Sequence, residues 1–147
     1  MARNRNDNFT QKTIKVLKER VGHKCSNPDC KCPTSGPQAS GGAKNVGVAA
    51  HICAASPAGP RYSSQQSPAE RKSIDNAIWL CQTCSVVIDR DHKRYSVETL
   101  KAWKSQAEFV AEQEIGRRVI PREDTKDVLV SALTGQSPSL LYTAIQN

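Results

Sequence analysis

Two pairs of cysteines, far apart in the chain, are spaced as the ligands of one zinc ion. Cys81 and Cys84 form a C-x2-C pair directly after the apolar run NAIWL, and Cys25 and Cys30 form a C-x4-C pair upstream. Thiolate sulfur suits the borderline softness of zinc, and a tight turn at each pair lets both sulfurs reach the same tetrahedral ion. The spacing therefore predicts a structural four-cysteine zinc site that joins two distant stretches of backbone.

The two remaining cysteines leave one choice open. Cys32 follows shortly after Cys30 and competes with it for the upstream zinc position. Apart from that competition, we expect Cys32 and Cys53 to be small, inert, partly buried thiols. A thioredoxin-like interpretation of the CQTC motif is weak, because it requires a βαβ setting for the first cysteine and leaves the upstream pair unexplained.

His51 is a candidate general base. It stands in the short apolar segment VGVAAHICAA, residues 46–55, which predicts a strand. Imidazole is largely neutral and still basic near neutral pH, so it can accept a proton from an attacking water. A lone histidine in an apolar strand is more often a hydrogen-bonded core residue. The predicted zinc site favours the catalytic role. A zinc ion bound by both cysteine pairs would let this strand pair antiparallel with the strand that ends at Cys81. A helix beginning at Cys84 would then complete a ββα unit in which His51 faces the helix.

Asn76 directly precedes the second of these strands. Its amide donates and accepts hydrogen bonds at once, so it can fix the hairpin or hold the imidazole. The alternative is an ordinary turn residue, since an Asp-Asn pair is common in turns.

Capping signals and periodicity predict the helices around this unit. Ser67 and Glu70 form a capping box with Pro68 at the first helical position, which marks a short helix. Trp103, on the apolar face of a later helix, is interpreted as a core anchor rather than a base-stacking group. Longer helices are predicted at residues 10–21 and 97–114, and a flexible loop rich in Gly, Pro and Ser at residues 33–47.

Composition narrows the class of protein and its partners. The 147 residues suffice for one domain with a modest core, and 21 Lys and Arg against 14 Asp and Glu give a net charge of +7. That excess favours a polyanionic partner such as DNA, although an ordinary basic surface explains it equally well. The chain has no long apolar run, so we expect no membrane span. The polar N-terminus predicts a cytoplasmic protein, where cysteines more often bind metal than form disulfides.

The ordered segments VAAHICAASPAGPR, SIDNAIWLCQTC, IDRD and YSVETLKAWK resemble the HNH endonucleases of the ββα-metal superfamily. The similarity covers roughly residues 20–106. It is greatest to the nuclease domains of bacterial anti-phage effectors, including those of cyclic-oligonucleotide signalling systems. It implies an α+β fold in which a ββα-metal (HNH) finger, braced by a four-cysteine zinc site, is flanked by helices.

The resemblance also implies roles for individual residues. By position, His51 matches the first histidine of the motif, the general base, and Asn76 matches the central asparagine. The structural zinc ligands of many family members correspond to Cys25, Cys30, Cys81 and Cys84. A second ion, Mg²⁺ or a similar divalent cation, is the expected catalytic cofactor.

The chain departs from the family pattern at two expected ligands of that catalytic ion. Ser85 stands where a histidine usually follows the second cysteine pair, and Ala50 stands where many members have a metal-binding Asp or His before His51. Asp89 lies one helical turn after Ser85 and would share its face. We therefore expect Asp89 to be the main catalytic-metal ligand, with Ser85 acting through water. Arg61, in the loop between the motif strands, is expected to contact a DNA phosphate.

Domain boundaries follow from the same patterns. Residues 1–115 are assigned to the HNH nuclease domain with its zinc knuckles, and residues 116–126 to a linker. Residues 127–147 are predicted to be helical. We expect this C-terminal segment to begin a regulatory or sensor domain, or to serve in homo-oligomerisation.

The resemblance predicts a metal-dependent endonuclease that hydrolyses double-stranded DNA with little sequence specificity, acting in bacterial anti-phage defence. Ser85 and Ala50 favour a rival, a catalytically degenerate, zinc-stabilised module that binds nucleic acid. A third alternative is a purely structural zinc domain that positions a C-terminal partner.

Overall fold

The computed structural model of the chain describes residues 8–117. The chain divides into two compact units, Met1–Gln113 and Glu114–Asn147, and the elements below belong to the first, apart from the last residue of its final helix. In chain order they are α1 (Gln11–Arg20), β1 (Ser35–Pro37), β2 (Ala43–Asn45), β3 (Gly47–His51), α2 (Pro68–Arg71), a 3-10 turn (Ile74–Asn76), β4 (Ala77–Cys81), α3 (Gln82–Arg90) and α4 (Val97–Glu114). Nearly all of the predicted linker, and the whole C-terminal helical segment, lie outside the described residues.

An antiparallel hairpin of β3 and β4, followed at once by α3, forms the centre of the fold. Its register pairs Gly47 with Cys81 at one end and His51 with Ala77 at the other. Helix α3 packs against both strands, and a core forms between them because their inward side chains are apolar. The fully buried members of this core include Ile52, Ile78, Leu80, Ile88 and Leu100. The chain therefore has the predicted mixed α+β class, with the predicted strand pairing and a helix directly after it.

A second core lies where α1 meets the hairpin. Leu17 on α1 and Val21, its C-cap residue, pack against Ala77 and Trp79 on β4. The Trp79 indole N–H donates to the Thr34 hydroxyl at 3.1 Å, so the large ring also satisfies its polar atom. The apolar face predicted for the first helix thus packs against the hairpin.

Two polar contacts attach α4 to the rest of the unit. Arg20 on α1 pairs with Glu108 on α4 through an N–O distance of 2.7 Å. The Lys104 ammonium donates to the backbone carbonyls of Ile74 and Ala77, and burial lowers its pKa. Helix α4 is therefore bonded to the backbone at the start of β4. As predicted, Trp103 on the same helix packs against the first core.

The Gly-, Pro- and Ser-rich segment at residues 33–47 differs from the prediction of a flexible loop. It contains β1 and β2, which pair antiparallel from Ser35–Asn45 to Pro37–Ala43. Backbone hydrogen bonds tie the start of this hairpin down, from the Thr34 N–H to the His23 carbonyl at 2.9 Å and from Val46 to Thr34 at 2.7 Å. Tertiary anchoring has outweighed a composition typical of turns. Among the described residues, no helix has the length and apolar character needed to cross a membrane.

Candidate functional site

The sulfur atoms of Cys25, Cys30, Cys81 and Cys84 lie within 4.8 Å of one another. A group of four thiols at this spacing can hold one metal ion, and an all-sulfur, four-ligand set matches the softness and tetrahedral preference of zinc. The sequence predicted this convergence from two distant pairs. Because all four members of the group found among residues 8–117 are cysteines, its donor set is that of a structural rather than a catalytic zinc site.

Local backbone geometry presents each cysteine pair to the common centre. In the first pair, the N–H groups of Cys30 and Lys31 both donate to the Asn27 carbonyl, which closes a tight turn. Lys31 has a φ of 54°, the left-handed conformation that such a turn requires. In the second pair, Cys81 is the N-cap of α3, and its sulfur accepts a hydrogen bond from the Cys84 N–H. The N-cap explains why α3 starts at Gln82, two residues before the predicted position.

The first pair is also held directly against the hairpin. The Ser26 N–H donates to the Trp79 carbonyl on β4 at 2.9 Å, and the Cys25 N–H donates to the Cys32 carbonyl at 2.9 Å. The Asn27 side-chain amide reaches the Cys84 sulfur at 3.4 Å. Asn27 was not singled out in the sequence, because its partner sulfur lies in the other pair. Hydrogen bonds of this kind stabilise a thiolate and orient it towards a metal.

The protein environment gives the thiols of this group different pKa values. Burial raises the pKa of Cys25, and burial raises the pKa of Cys84. Burial also opposes ionisation of Cys81, but hydrogen bonds from the Cys84 backbone and from neighbouring thiols outweigh it and lower the Cys81 pKa to about 7. Cys81 is therefore the thiol of these three that ionises most readily.

Cys32 and Cys53 stand outside the four-sulfur group. Cys32 is close by, since its hydrogen bond with Cys30, followed by burial, raises its pKa to about 12. The four-sulfur group contains Cys30, and Cys32 contacts two of its members, Cys30 and Cys81. Cys53 is buried, and burial raises its pKa, as expected for an inert thiol.

His51 lies at the end of β3, beside a pocket of about 240 Å³. The same pocket is lined by Ser85 and Asp89 from α3 and by Ala50. His51 is 9% exposed. Its imidazole stacks on the ring of Phe9, with ring centroids 4.1 Å apart and an angle of 20° between the ring planes. The structure thus brings the predicted base and both predicted metal ligands of α3 to one concave surface.

Asn76 fixes the backbone immediately after β3. Its side-chain oxygen accepts from the Cys53 N–H at 2.9 Å, and its amide nitrogen donates to the Cys53 carbonyl at 3.0 Å and to the Arg71 carbonyl at 2.9 Å. The backbone adds a bond from the Ile52 N–H to the Asn76 carbonyl. These bonds continue the strand pairing beyond His51. Of the two roles considered for Asn76, they provide the first, fixing the hairpin.

Arg61 is engaged inside the protein, which argues against the predicted phosphate contact. Its guanidinium donates to the carbonyls of Ile52, Ile88 and Tyr95, and to the Asp89 carboxylate at 2.8 Å. The side chain is only 5% exposed. The guanidinium therefore connects the loop after β3 to the end of α3, a use that the residue's place in a polar loop did not reveal.

Asp89 and Ser85 keep part of their ligand capacity. The Arg61 bond engages Oδ1 of Asp89, whose side chain is half exposed. The Ser85 hydroxyl donates to the Gln82 carbonyl at 2.8 Å, which leaves its oxygen lone pairs as acceptors. Among residues 8–117, however, His51 and Asp89 belong to no group of three or more His, Cys, Asp or Glu side chains close enough to hold an ion. The donors for a catalytic cation are thus sparser than those of the cysteine centre.

No model of a known protein family matches the chain, and no curated protein matches it. The HNH resemblance therefore rests on the ordered sequence motifs alone.

Proposed function

We propose that the chain contains an HNH-type endonuclease domain that hydrolyses phosphodiester bonds in double-stranded DNA, with little sequence specificity and with a divalent cation as cofactor. The observation that carries this proposal is the pocket shared by His51, Ser85 and Asp89. It lies on a strand–strand–helix unit that four cysteines clamp together. We further propose a role in the bacterial cytoplasm, in anti-phage defence, on the strength of the motif resemblance alone.

His51 is the general base in this proposal. It takes a proton from a water molecule in the pocket, and the resulting hydroxide attacks the phosphorus of the scissile bond while the bond from phosphorus to the 3′ oxygen breaks. The leaving 3′ oxygen then takes up a proton from solvent. Hydrogen bonds on both sides fix the backbone of His51. Strand β3 pairs with β4 as far as the His51–Ala77 pair, and the Asn76 side chain accepts a hydrogen bond from the Cys53 N–H just beyond it. A fixed base is needed because proton transfer depends on hydrogen-bond distance.

Asp89, and Ser85 through a water, would hold the catalytic cation. A cation of the Mg²⁺ type supplies charge stabilisation to the phosphate oxygens and the leaving 3′ oxygen when bound. Asp89 is itself held by the Arg61 guanidinium, so its carboxylate is oriented before any ligand arrives. The zinc centre has a separate task in the proposal, which is to brace the hairpin and α3.

DNA is the proposed partner because the chain carries a net charge of +7. Lysine and arginine side chains that neutralise phosphates give binding that weakens steeply with salt. Since Arg61 is engaged internally, phosphate contacts are assigned to other basic residues on the surface of the unit.

One observation favours a second candidate, a zinc-stabilised module that binds nucleic acid without cutting it. The pocket has Ser85 and Ala50 where metal ligands are expected, and one oxygen of Asp89 already pairs with Arg61. Both candidates predict salt-sensitive DNA binding, so only catalysis separates them.

Supercoiled plasmid provides the test. We would incubate it with the zinc-loaded protein and Mg²⁺, Mn²⁺ or Ni²⁺, with EDTA, and with His51→Ala. His92→Ala is the matched control, because His92 is exposed in the turn after α3. Zinc content of each variant, measured by elemental analysis, checks that the fold is retained.

The endonuclease proposal expects nicking that needs the added cation and falls by about 10²–10⁴-fold in His51→Ala. His92→Ala should cut like the wild type. Intact plasmid under every cation, together with a gel shift that persists, would instead establish the binding module.

A further inference from the structure

Phe9, which lies two residues before α1, contacts the proposed base. Phe9 stacks on His51 with ring centroids 4.1 Å apart and an interplanar angle of 20°. This near-parallel contact joins residues far apart in sequence, and it involves one of only two phenylalanines in the chain. A stacked arrangement of flat rings has a defined geometry, unlike a general apolar contact.

The position of Phe9 is fixed from both sides. Phe9 packs against the core formed by Leu17, Val21 and Trp79, and Thr10 directly after it is the N-cap of α1, where its hydroxyl accepts from the Thr13 N–H. The backbone of His51 is fixed by its pairing with Ala77, which belongs to the same core. Phe9 and the backbone of His51 are thus both anchored to the same core cluster.

The stacked contact restricts the imidazole. Rotation about the bond from Cβ to a histidine ring has broad energy wells, and strand pairing fixes only the backbone. A flat ring stacked on one face removes most of that freedom without adding a competing polar group. A base that is displaced by even 1 Å can lose on the order of 10²-fold in rate.

We propose that Phe9 is a positioning residue of the site, whose ring sets the orientation of the His51 imidazole. This inference rests on the proposed function of His51 as a base, but its structural half stands separately. It makes Phe9 part of the site, although Phe9 lies outside the segments that resemble HNH nucleases.

Three substitutions at Phe9 test the inference in the zinc-loaded full chain. Phe9→Leu keeps apolar bulk but removes the flat ring, while Phe9→Tyr and Phe9→Trp keep a ring. Phe109→Leu is the matched control, because Phe109 lies exposed on α4. Zinc content and thermal unfolding of each variant report whether the fold is intact.

The first readout is independent of cutting. Proton resonances of the His51 ring, assigned by their loss in His51→Ala, should be shifted upfield by the Phe9 ring current in the wild type. They should move downfield in Phe9→Leu and stay near their wild-type positions in Phe109→Leu. Unmoved His51 resonances in Phe9→Leu would overturn the inference, whether or not the protein cuts DNA.

The second readout is plasmid nicking. Phe9→Leu should lower kcat about 10-fold to 10²-fold with little change in KM, and Phe9→Tyr should restore most of the rate. Equal or faster cutting by Phe9→Leu, despite the moved resonances, would show that the ring does not position the base. A wild type that does not nick under any cation would sink the proposed nuclease function. The orientation of the His51 ring, read from NOEs of its ring protons, would then decide the structural half: an unchanged ring orientation in Phe9→Leu would overturn it.

Discussion

Arg61 and Asp89 form an ion pair in which the two partners have opposite environments. The guanidinium nitrogen and carboxylate oxygen are 2.8 Å apart, and the arginine side chain is 5% exposed while the aspartate is half exposed. The arginine also binds three backbone carbonyls. The buried partner therefore organises the structure, and the exposed partner presents a carboxylate to the pocket.

Arg61→Lys should destabilise the fold. A lysine ammonium lacks the planar fork of the guanidinium and cannot reach the carbonyls of Ile52, Ile88 and Tyr95 together. Leaving buried acceptors without partners costs about 1–3 kcal/mol for each group, so we expect a loss of about 3 kcal/mol in the free energy of unfolding. Urea denaturation of the zinc-loaded protein measures it.

Arg90→Lys is the control for that substitution, because Arg90 is exposed near the end of α3, and it should change stability by less than about 0.5 kcal/mol. The alternative assignment of Arg61 to a DNA phosphate predicts something else. In that case stability would hold, and the slope of log affinity against log salt would fall by about one.

Asp89→Asn tests the exposed half of the pair. The amide keeps the shape of the side chain but loses the charge, so a cation held by the carboxylate should bind about 10–100-fold more weakly. Stability should fall by about 1–3 kcal/mol, because the buried Arg61 guanidinium loses the charge of its carboxylate partner. The measurement is the Mg²⁺ concentration that gives half-maximal plasmid nicking.

Asp91→Asn controls for the general loss of negative charge, because Asp91 is exposed at the end of the same helix. It should leave the Mg²⁺ requirement unchanged. An identical Mg²⁺ curve for Asp89→Asn would remove Asp89 from the metal site.

Residue types and short-range spacing predicted much of this arrangement. The cysteine pairs, the strand that carries His51 and the capping box at Ser67 each have a local signature, and the structure has the sulfur cluster, β3 and the capping box. These features depend on turn geometry and strand pairing that neighbouring residues encode.

The contacts that were not predicted join residues far apart in sequence. Nothing near Phe9 indicates that its ring meets His51. Arg61 binds mainly backbone carbonyls, which every residue possesses, so its partners leave no mark in the sequence. Strands β1 and β2 arise in a turn-like composition because Thr34 anchors them to His23. Long-range packing decided all three.

Zinc binding should release protons and become weaker as the pH falls. Burial raises the pKa of Cys25 and of Cys84, so both are protonated thiols near pH 7.5 before they bind. A zinc ion takes thiolates, and at least these two protons must leave. Calorimetric titration of metal-free protein with Zn²⁺, in buffers of different ionisation enthalpy, counts them.

Substitutions separate the zinc ligands from the other cysteines. Cys25→Ser should abolish stoichiometric zinc and unfold the domain, because structural zinc contributes apparent free energies on the order of 10–16 kcal/mol. Cys53→Ser should keep its zinc, since Cys53 lies outside the sulfur group. Full zinc content in Cys25→Ser, by elemental analysis, would contradict the assignment.

Gly47→Ala tests how tightly the hairpin behind His51 is packed. A Cβ at this position would overlap the Trp79 ring, so either the indole or β3 must move. Overpacking of this kind typically costs about 1–3 kcal/mol, and a shift of β3 would be carried along the strand to His51. We expect lower stability in urea together with slower nicking.

Gly36→Ala is the matched control, because a Cβ there would meet nothing within 4 Å. Equal stability and equal nicking for the two variants would mean that Trp79 yields freely and that the hairpin does not fix the base.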